Sequence, residues 1–185
     1  SIPYVKYVDD VSLLSISHDF SDDNLQQALC YLQSWCNLNG MQLNTKKTKE
    51  MILKFSKRVR TALCTPLVYD CAVIDRVEEF KILGIMVSSD LTWSRHVDYI
   101  VARANKRIFA ICQLVRCGFD HKDIVTVYCS LIRPVLEYSS QVWHCGLTRT
   151  LSDEIERVQR RCLHIIYPQL SYSDALAVWF AIAIR

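Results

Sequence analysis

Apolar positions follow two regimes along the chain, a short-period one up to about residue 90 and a helical one beyond it. Residues 4–8 and 11–16 are β-prone runs on either side of Asp9-Asp10, which predicts a tight hairpin. Ser21, Asp22 and Asp23 supply an N-cap and first-turn acids for a helix. Leu25, Ala28, Leu29, Leu32, Trp35 and Cys36 form its apolar face, and it stops between Asn37 and Gly40. Residues 51–55 are expected as a strand. Residues 67–74 and 80–87 are expected as two more, paired with each other.

From Trp93 the period is helical. Trp93, Val97, Ile100, Val101, Ala104, Ile108, Ile111 and Val115 make one stripe, closed by Gly118. Asp120 and Asp123 open a second helix through Ile124, Val127, Tyr128 and Leu131, which Pro134 should end or kink. Thr150 and Asp153 are expected to open a third, through Ile155, Val158, Cys162 and Ile166, stopped by Pro168. A fourth runs from about Ser173. The expected class is α+β: residues 1–90 mix strands and a helix, and residues 91–185 are helical. No internal repeat is visible.

Composition narrows the class. Of 185 residues, 51% are hydrophobic and 22% charged, and there are only four Gly and four Pro, which excludes disordered, collagen-like and linker-rich chains. The longest near-continuous apolar stretch, 175–184, is too short to span a bilayer, so no membrane partner is expected. The start carries no signal or transit pattern and begins with Ser1, as in a piece of a longer protein. Nine cysteines with no Cys-x-x-Cys, mostly on apolar helical positions, fit a reduced intracellular setting better than a disulfide framework. The spacing of Cys145, Cys162 and His164 matches no common zinc finger, and no zinc is expected.

Charge is split more than the net +3 suggests. Residues 1–45 carry a net −4 and residues 46–60 a net +6. An acidic opening followed by a basic segment suits a metal site beside a phosphate-binding surface, although solvated loops can look the same. Two adjacent carboxylates at a hairpin tip, joined by a third, can hold divalent cations for phosphoryl transfer. With 13 Asp in the chain the dipeptide alone carries little weight, and Asp22-Asp23 repeats it at a helix start. The strands around Asp9-Asp10 and the aromatic at Tyr7 set it apart.

Tyr7-Val8-Asp9-Asp10 between two β runs resembles the YxDD hairpin of reverse transcriptases. The likeness continues in order. Segment 32–51, with Trp35, Gly40, Leu43, Asn44, Lys47 and Thr48, resembles the helix and Asn-x-x-Lys-Thr turn after that hairpin in non-LTR retrotransposon enzymes. Phe80, Leu83 and Gly84, then Leu91, Trp93 and His96, are similar to their Leu-Gly primer-grip hairpin and the start of the thumb. Tyr128, Ser130, Arg133, Pro134, Glu137, Tyr138, Trp143, Ile155, Glu156, Val158 and Gln159 resemble the helical region beyond.

The resemblance implies part of an RNA-directed DNA polymerase of a LINE-like element. Residues 1–90 would be the C-terminal half of the palm with the primer grip, and residues 91–185 the helical thumb and connection. It implies Asp9 and Asp10 as ligands of catalytic Mg2+ (or Mn2+), Lys47 (or adjacent Lys46) as proton donor to leaving pyrophosphate, and Tyr7 and Val8 near the primer terminus with Leu83 and Gly84. RNA template, DNA primer and deoxynucleoside triphosphates would be the partners. The family's other metal-binding Asp and its fingers lie upstream of this segment, so whether the segment alone is an enzyme stays open, and it is expected to be inactive.

Lys46, Lys49, Lys54, Lys57, Arg58 and Arg60, with Arg95, Arg103, Lys106 and Arg107 on the first long helix, are candidates to follow a nucleic-acid backbone. The plain reading of each is a solvated strand edge or the polar face of an amphipathic helix. Trp35, Trp93, Trp143 and Trp179 sit at apolar positions that favour packing over base stacking. A non-catalytic nucleic-acid-binding remnant is the main competing function. A phosphoesterase is a weaker one, lacking a general base. Nuclear or ribonucleoprotein location follows by analogy only.

Overall fold

Residues 2–16, 24–53 and 65–183 are described by the structure, a computed structural model. The chain divides into two compact units, 1–80 with 89–91, and 81–88 with 92–185. Its architecture mixes small two-stranded sheets with helices, in keeping with the α+β expectation.

In the first unit, β1 (Tyr4–Tyr7) and β2 (Asp10–Leu13) pair antiparallel with Tyr7 opposite Asp10. The expected hairpin forms, but its turn falls one residue earlier, at Val8 and Asp9, so Asp10 opens β2 instead of sharing the tip. α1 (Asn24–Leu38) follows and buries Leu29 and Cys36. Leu25, Ala28 and Leu32 of the predicted face are half-buried, whereas Trp35 is 44% exposed. The proposed cap at Ser21, Asp22 and Asp23 lies outside the described residues.

The strand expected over 51–55 is displaced. β3 (Lys49–Glu50) precedes it and pairs with β6 (Asp75–Arg76) in parallel, which departs from a palm built of antiparallel strands, the arrangement that the family resemblance implies. Residues 54 and 55 lie outside the described residues. The two long strands expected over 67–74 and 80–87 are also corrected. The first is a hairpin of β4 (Val68–Tyr69) and β5 (Ala72–Val73), turned at Asp70 and Cys71, both with positive φ. The second is a hairpin of β7 (Glu79–Ile82) and β8 (Ile85–Ser88), turned at Leu83 and Gly84, again both positive. Two consecutive left-handed residues match the right-handed twist of paired strands, so each run folds back on itself. The edge of β4 is completed by Gln26 of α1, whose amide accepts from the Val68 N–H at 2.9 Å and donates to its carbonyl at 2.8 Å. Leu29, Tyr69 and Ile74 form a small core there.

The second unit holds the larger core. α2 (Ser94–Arg116) buries His96, Val97, Ile100, Ala104, Ile108 and Ile111, close to the predicted stripe. α3 (His121–Val127) begins after Asp120, which takes the extended N-cap backbone without a side-chain capping bond. Pro134 does not end the helix: residues Tyr128–Ile132 widen into a π turn, with the Arg133 N–H reaching the Tyr128 carbonyl, and α4 (Arg133–Glu137) continues. Proline has no N–H for the carbonyl four residues back, and a wide turn absorbs the mismatch. The Arg107 guanidinium donates to the Leu131 carbonyl in that stretch.

A short α5 (Ser140–Trp143) and a 3-10 turn (His144–Gly146) were not expected from the pattern. α6 (Arg149–Ile166) starts two residues earlier than expected, because Thr148 rather than Thr150 caps it, accepting from the Leu151 N–H at 3.4 Å. α7 (Tyr172–Ala183) packs against α6 and α3. Trp143, Tyr128, Ile132, Cys162, Leu163, Ile166 and Trp179 complete the core. Burial pushes the Cys162 thiol up to about 12 and also raises the Tyr128 phenol, which marks both as packing groups rather than reactive ones. Among the described residues no helix is long and apolar enough to cross a membrane.

Candidate functional site

The β1–β2 hairpin turns in two residues, and the first of them, Val8, has φ of 55°. Hairpins usually give that position to glycine, and a β-branched residue there costs on the order of 1–3 kcal/mol. The strained turn places Asp9 at the tip and Asp10 at the start of β2, opposite Tyr7. Tyr7, Val8, Asp9 and Asp10 are all exposed. Neither carboxylate has a protein partner among the described residues. Two adjacent, unneutralised carboxylates offer the hard oxygen donors that Mg2+ takes, commonly one or two of them alongside substrate phosphates. Among the described residues no group of three or more His, Cys, Asp or Glu is placed to hold a metal, so any further ligand would come from outside them.

Lys47 sits in a turn organised by Asn44. The Asn44 side-chain oxygen accepts from the Lys47 N–H at 3.1 Å, and its carbonyl accepts from the Thr48 N–H at 2.9 Å and the Thr48 hydroxyl at 2.9 Å. This explains the Asn-x-x-Lys-Thr spacing: Asn and Thr close the turn and leave the Lys side chain outside it. The Lys46 and Lys47 ammonium groups have no partner among the described residues, and no hydrogen bond or ion pair joins Lys47 to Asp9 or Asp10. Lys49 differs. It is tied to Asp75 at 2.6 Å, and its neighbour Glu50 receives Arg76 at 2.8 Å and 3.2 Å. Lys54, Lys57, Arg58 and Arg60 lie outside the described residues.

In the second unit, Leu83 and Gly84 form the β7–β8 turn. The Tyr138 hydroxyl donates to the Leu83 carbonyl at 3.0 Å. A side chain on Gly84 would meet the Tyr138 ring at 3.1 Å. Beneath the hairpin, the Met86 N–H donates to His96 Nδ1 at 3.3 Å. His96 is 1% exposed, edge-on to Trp93 and Trp143, and burial lowers its pKa. It packs.

Of the basic residues on α2, Arg95, Arg103 and Lys106 are exposed and Arg107 is half-buried, committed to the Leu131 carbonyl. Arg103 converges with Lys81 on the hydroxyl of Tyr99, at 3.0 Å and 2.7 Å. Sequence reasoning missed Lys81 and Tyr99. The usable signal was Tyr99 standing one turn before Arg103, off the apolar stripe. Trp143 and Trp179 are buried and Trp93 is half-buried, while Lys6 sits over the Trp35 ring at 5.5 Å.

Comparison with known proteins gives three polymerases of mobile elements. The chain is 24% identical over 168 residues, 86% of its length, to a Drosophila melanogaster protein described as "Probable RNA-directed DNA polymerase from transposon BS", of which it covers 18%. It is 25% identical over 166 residues to the RNA-directed DNA polymerase from mobile element jockey of Drosophila funebris, covering 86% of this chain and 17% of that one. The corresponding Drosophila melanogaster jockey polymerase is 26% identical over 141 residues, 74% of this chain and 15% of that protein. The chain therefore spans less than a fifth of the length of these relatives. No family model matches it, and no solved structure does. The relatives bear out the resemblance to reverse transcriptases of non-LTR elements drawn from the ordered motifs.

Proposed function

We propose that this chain is the part of a non-LTR reverse transcriptase that runs from the YxDD hairpin of the palm through the primer grip and thumb. The observation that carries it is the exposed pair Asp9, in a two-residue turn, and Asp10, the first residue of β2, inside a stretch similar to RNA-directed DNA polymerases along most of its length. In the parent enzyme Asp9 and Asp10 would hold divalent cations, Mg2+ or Mn2+, with a carboxylate from upstream. Those cations supply the charge neutralisation of nucleotidyl transfer. Tyr7 and Val8 would lie at the primer terminus, with Leu83 and Gly84 supporting the primer strand. Lys47, held outside its turn by Asn44 and Thr48, is available to a leaving pyrophosphate.

Partners on this reading are an RNA template, a DNA primer and deoxynucleoside triphosphates, with nuclear or ribonucleoprotein location. Because the described residues contribute two carboxylates, catalysis is assigned to the parent and nucleic-acid binding to the segment itself. The test is primer extension on an RNA template by the open reading frame that carries this segment, with Asp9→Asn as control. Extension lost in that variant supports the assignment. Extension by the parent at an unchanged rate with Asp9→Asn sinks it. A non-catalytic binder would give no extension with either protein and a salt-dependent affinity for RNA–DNA hybrid.

A further inference from the structure

We propose that Lys81, Tyr99 and Arg103 form an anion site that takes a backbone phosphate of nucleic acid. Lys81 lies on β7, and Tyr99 and Arg103 lie one turn apart on α2, all within the second unit. The Lys81 ammonium donates to the Tyr99 hydroxyl oxygen at 2.7 Å and the Arg103 guanidinium to the same oxygen at 3.0 Å. Both cations also lie over the Tyr99 ring, 4.8 Å and 5.4 Å from its centroid. The ring packs against the main core, which fixes the hydroxyl.

Two like charges are thus gathered on one neutral oxygen. Neither cation has a carboxylate partner among the described residues. Other basic residues of the chain do: Lys49 with Asp75, Arg76 with Glu50, Arg133 with Glu137 and Arg160 with Glu156. The Tyr99 phenol is held below its usual value, first by the hydrogen bond from Lys81, then by the Lys81 charge and by Arg103, as expected where positive potential accumulates.

With its oxygen accepting twice, Tyr99 still has an O–H to donate. The three groups therefore present donors only, and a group rich in acceptors with no donors of its own matches them. A phosphodiester is such a group, and guanidinium and ammonium are its usual protein partners. Lys106, three residues beyond Arg103 and exposed without a partner among the described residues, continues the positive charge along α2, which favours a polyanion over an isolated carboxylate.

This proposal rests on the reading that the segment binds nucleic acid, and the experiment separates the two. A 20-base-pair RNA–DNA hybrid is titrated by fluorescence anisotropy against the 185-residue chain, its Lys81→Gln/Arg103→Gln and Tyr99→Phe variants, and Arg116→Gln, which lies outside the site. The double variant is expected to bind roughly tenfold more weakly and to flatten the log–log salt slope by about 1, the effect of losing one phosphate contact. Tyr99→Phe should weaken binding with a smaller change in slope, and Arg116→Gln should change neither. Unchanged affinity and slope in the double variant, with the hybrid still bound by the parent chain, overturn the anion site and leave the wider reading intact. If the parent chain binds no hybrid, the wider reading fails, and inorganic phosphate titrated against the Tyr99 ring resonances decides this one: a saturable shift absent from the double variant upholds it, no shift overturns it. Should the double variant lose its helical circular dichroism, Lys81→Arg/Arg103→Lys replaces it, with the slope expected to recover.

Discussion

The Tyr138 hydroxyl donates to the Leu83 carbonyl at 3.0 Å, and its ring lies 3.1 Å from where a side chain on Gly84 would begin. One residue at the end of α4 thus holds the β7–β8 turn by a hydrogen bond and by close packing over a glycine at φ of 90°. Trp143 reinforces the arrangement, its indole N–H donating to the Tyr138 carbonyl at 2.9 Å. The turn expected at the primer grip is therefore anchored to the helical core of its own unit rather than left as a free loop.

Gly84→Ala should destabilise the second unit by about 1–3 kcal/mol, since it forces an L side chain to φ of 90° and toward the Tyr138 ring. Tyr138→Phe should cost about 0.5–1 kcal/mol, because it removes one hydrogen bond at a half-wet position. Urea unfolding followed by circular dichroism measures both. Equal losses would mean that the ring contact does not select glycine.

Much of this was legible in the sequence where one pattern governs one element. The stripe from Val97 to Ile111 specified α2, and Tyr7 through Asp10 specified a hairpin. What escaped was left-handed turn geometry at residues not typical of it. Asp70-Cys71 lacks the Asn-Gly signature, so one hairpin passed for a long strand; at Leu83-Gly84 the apolar pattern read as one strand and only the family resemblance pointed to a hairpin. The cap of α6 slipped from Thr148 to Thr150 because both hydroxyls fit, and they lie 2.8 Å apart. The acidic hairpin was legible because its motif is contiguous. The Lys81–Tyr99–Arg103 cluster was not, because residues 18 positions apart meet only in three dimensions.

The two-residue ladder of β3 and β6 should depend unequally on its two ion pairs. Lys49 faces Asp75 and Glu50 faces Arg76 in register, but the Glu50 side chain is 10% exposed and Asp75 72%. Glu50→Gln leaves the Arg76 guanidinium facing a weaker acceptor in a sheltered place and should cost about 1–3 kcal/mol. Asp75→Asn should cost less than about 1 kcal/mol. Amide exchange of Val77, whose N–H donates to the Glu50 carbonyl at 2.9 Å, reports on this ladder. A larger loss for Asp75→Asn would contradict the burial argument.

Gly146 lies against the Trp93 indole, and a side chain there would stand 2.6 Å from its Nε1. Gly146→Ala should therefore cost about 1–3 kcal/mol through overpacking. In a Trp93→Phe background, where the crowded indole edge is gone, the same substitution should be nearly neutral. A double-mutant cycle isolates that coupling. Additive losses would show that the backbone, not the indole, resists the change.

His96 should make stability fall with acid. Burial lowers its pKa in the folded chain below the usual 6.5. The unfolded chain, with an ordinary histidine, therefore binds the proton more readily. The stabilisation from neutral His96 is complete above the unfolded value, about 6.5, and is lost as pH falls from there toward the lower folded value. The tautomer follows from the geometry: Nδ1 accepts from the Met86 N–H, so the proton sits on Nε2, which is buried without a hydrogen-bond partner among the described residues. Protonating Nδ1 would set two N–H groups against each other and push strand β8 away from α2. Unfolding free energy measured between about pH 7.5 and 5, on either side of the ordinary histidine value of about 6.5, should decline in the parent chain and decline less in His96→Gln. That variant keeps an acceptor for Met86 but cannot titrate, so an equal decline in both would assign the acid sensitivity to other groups.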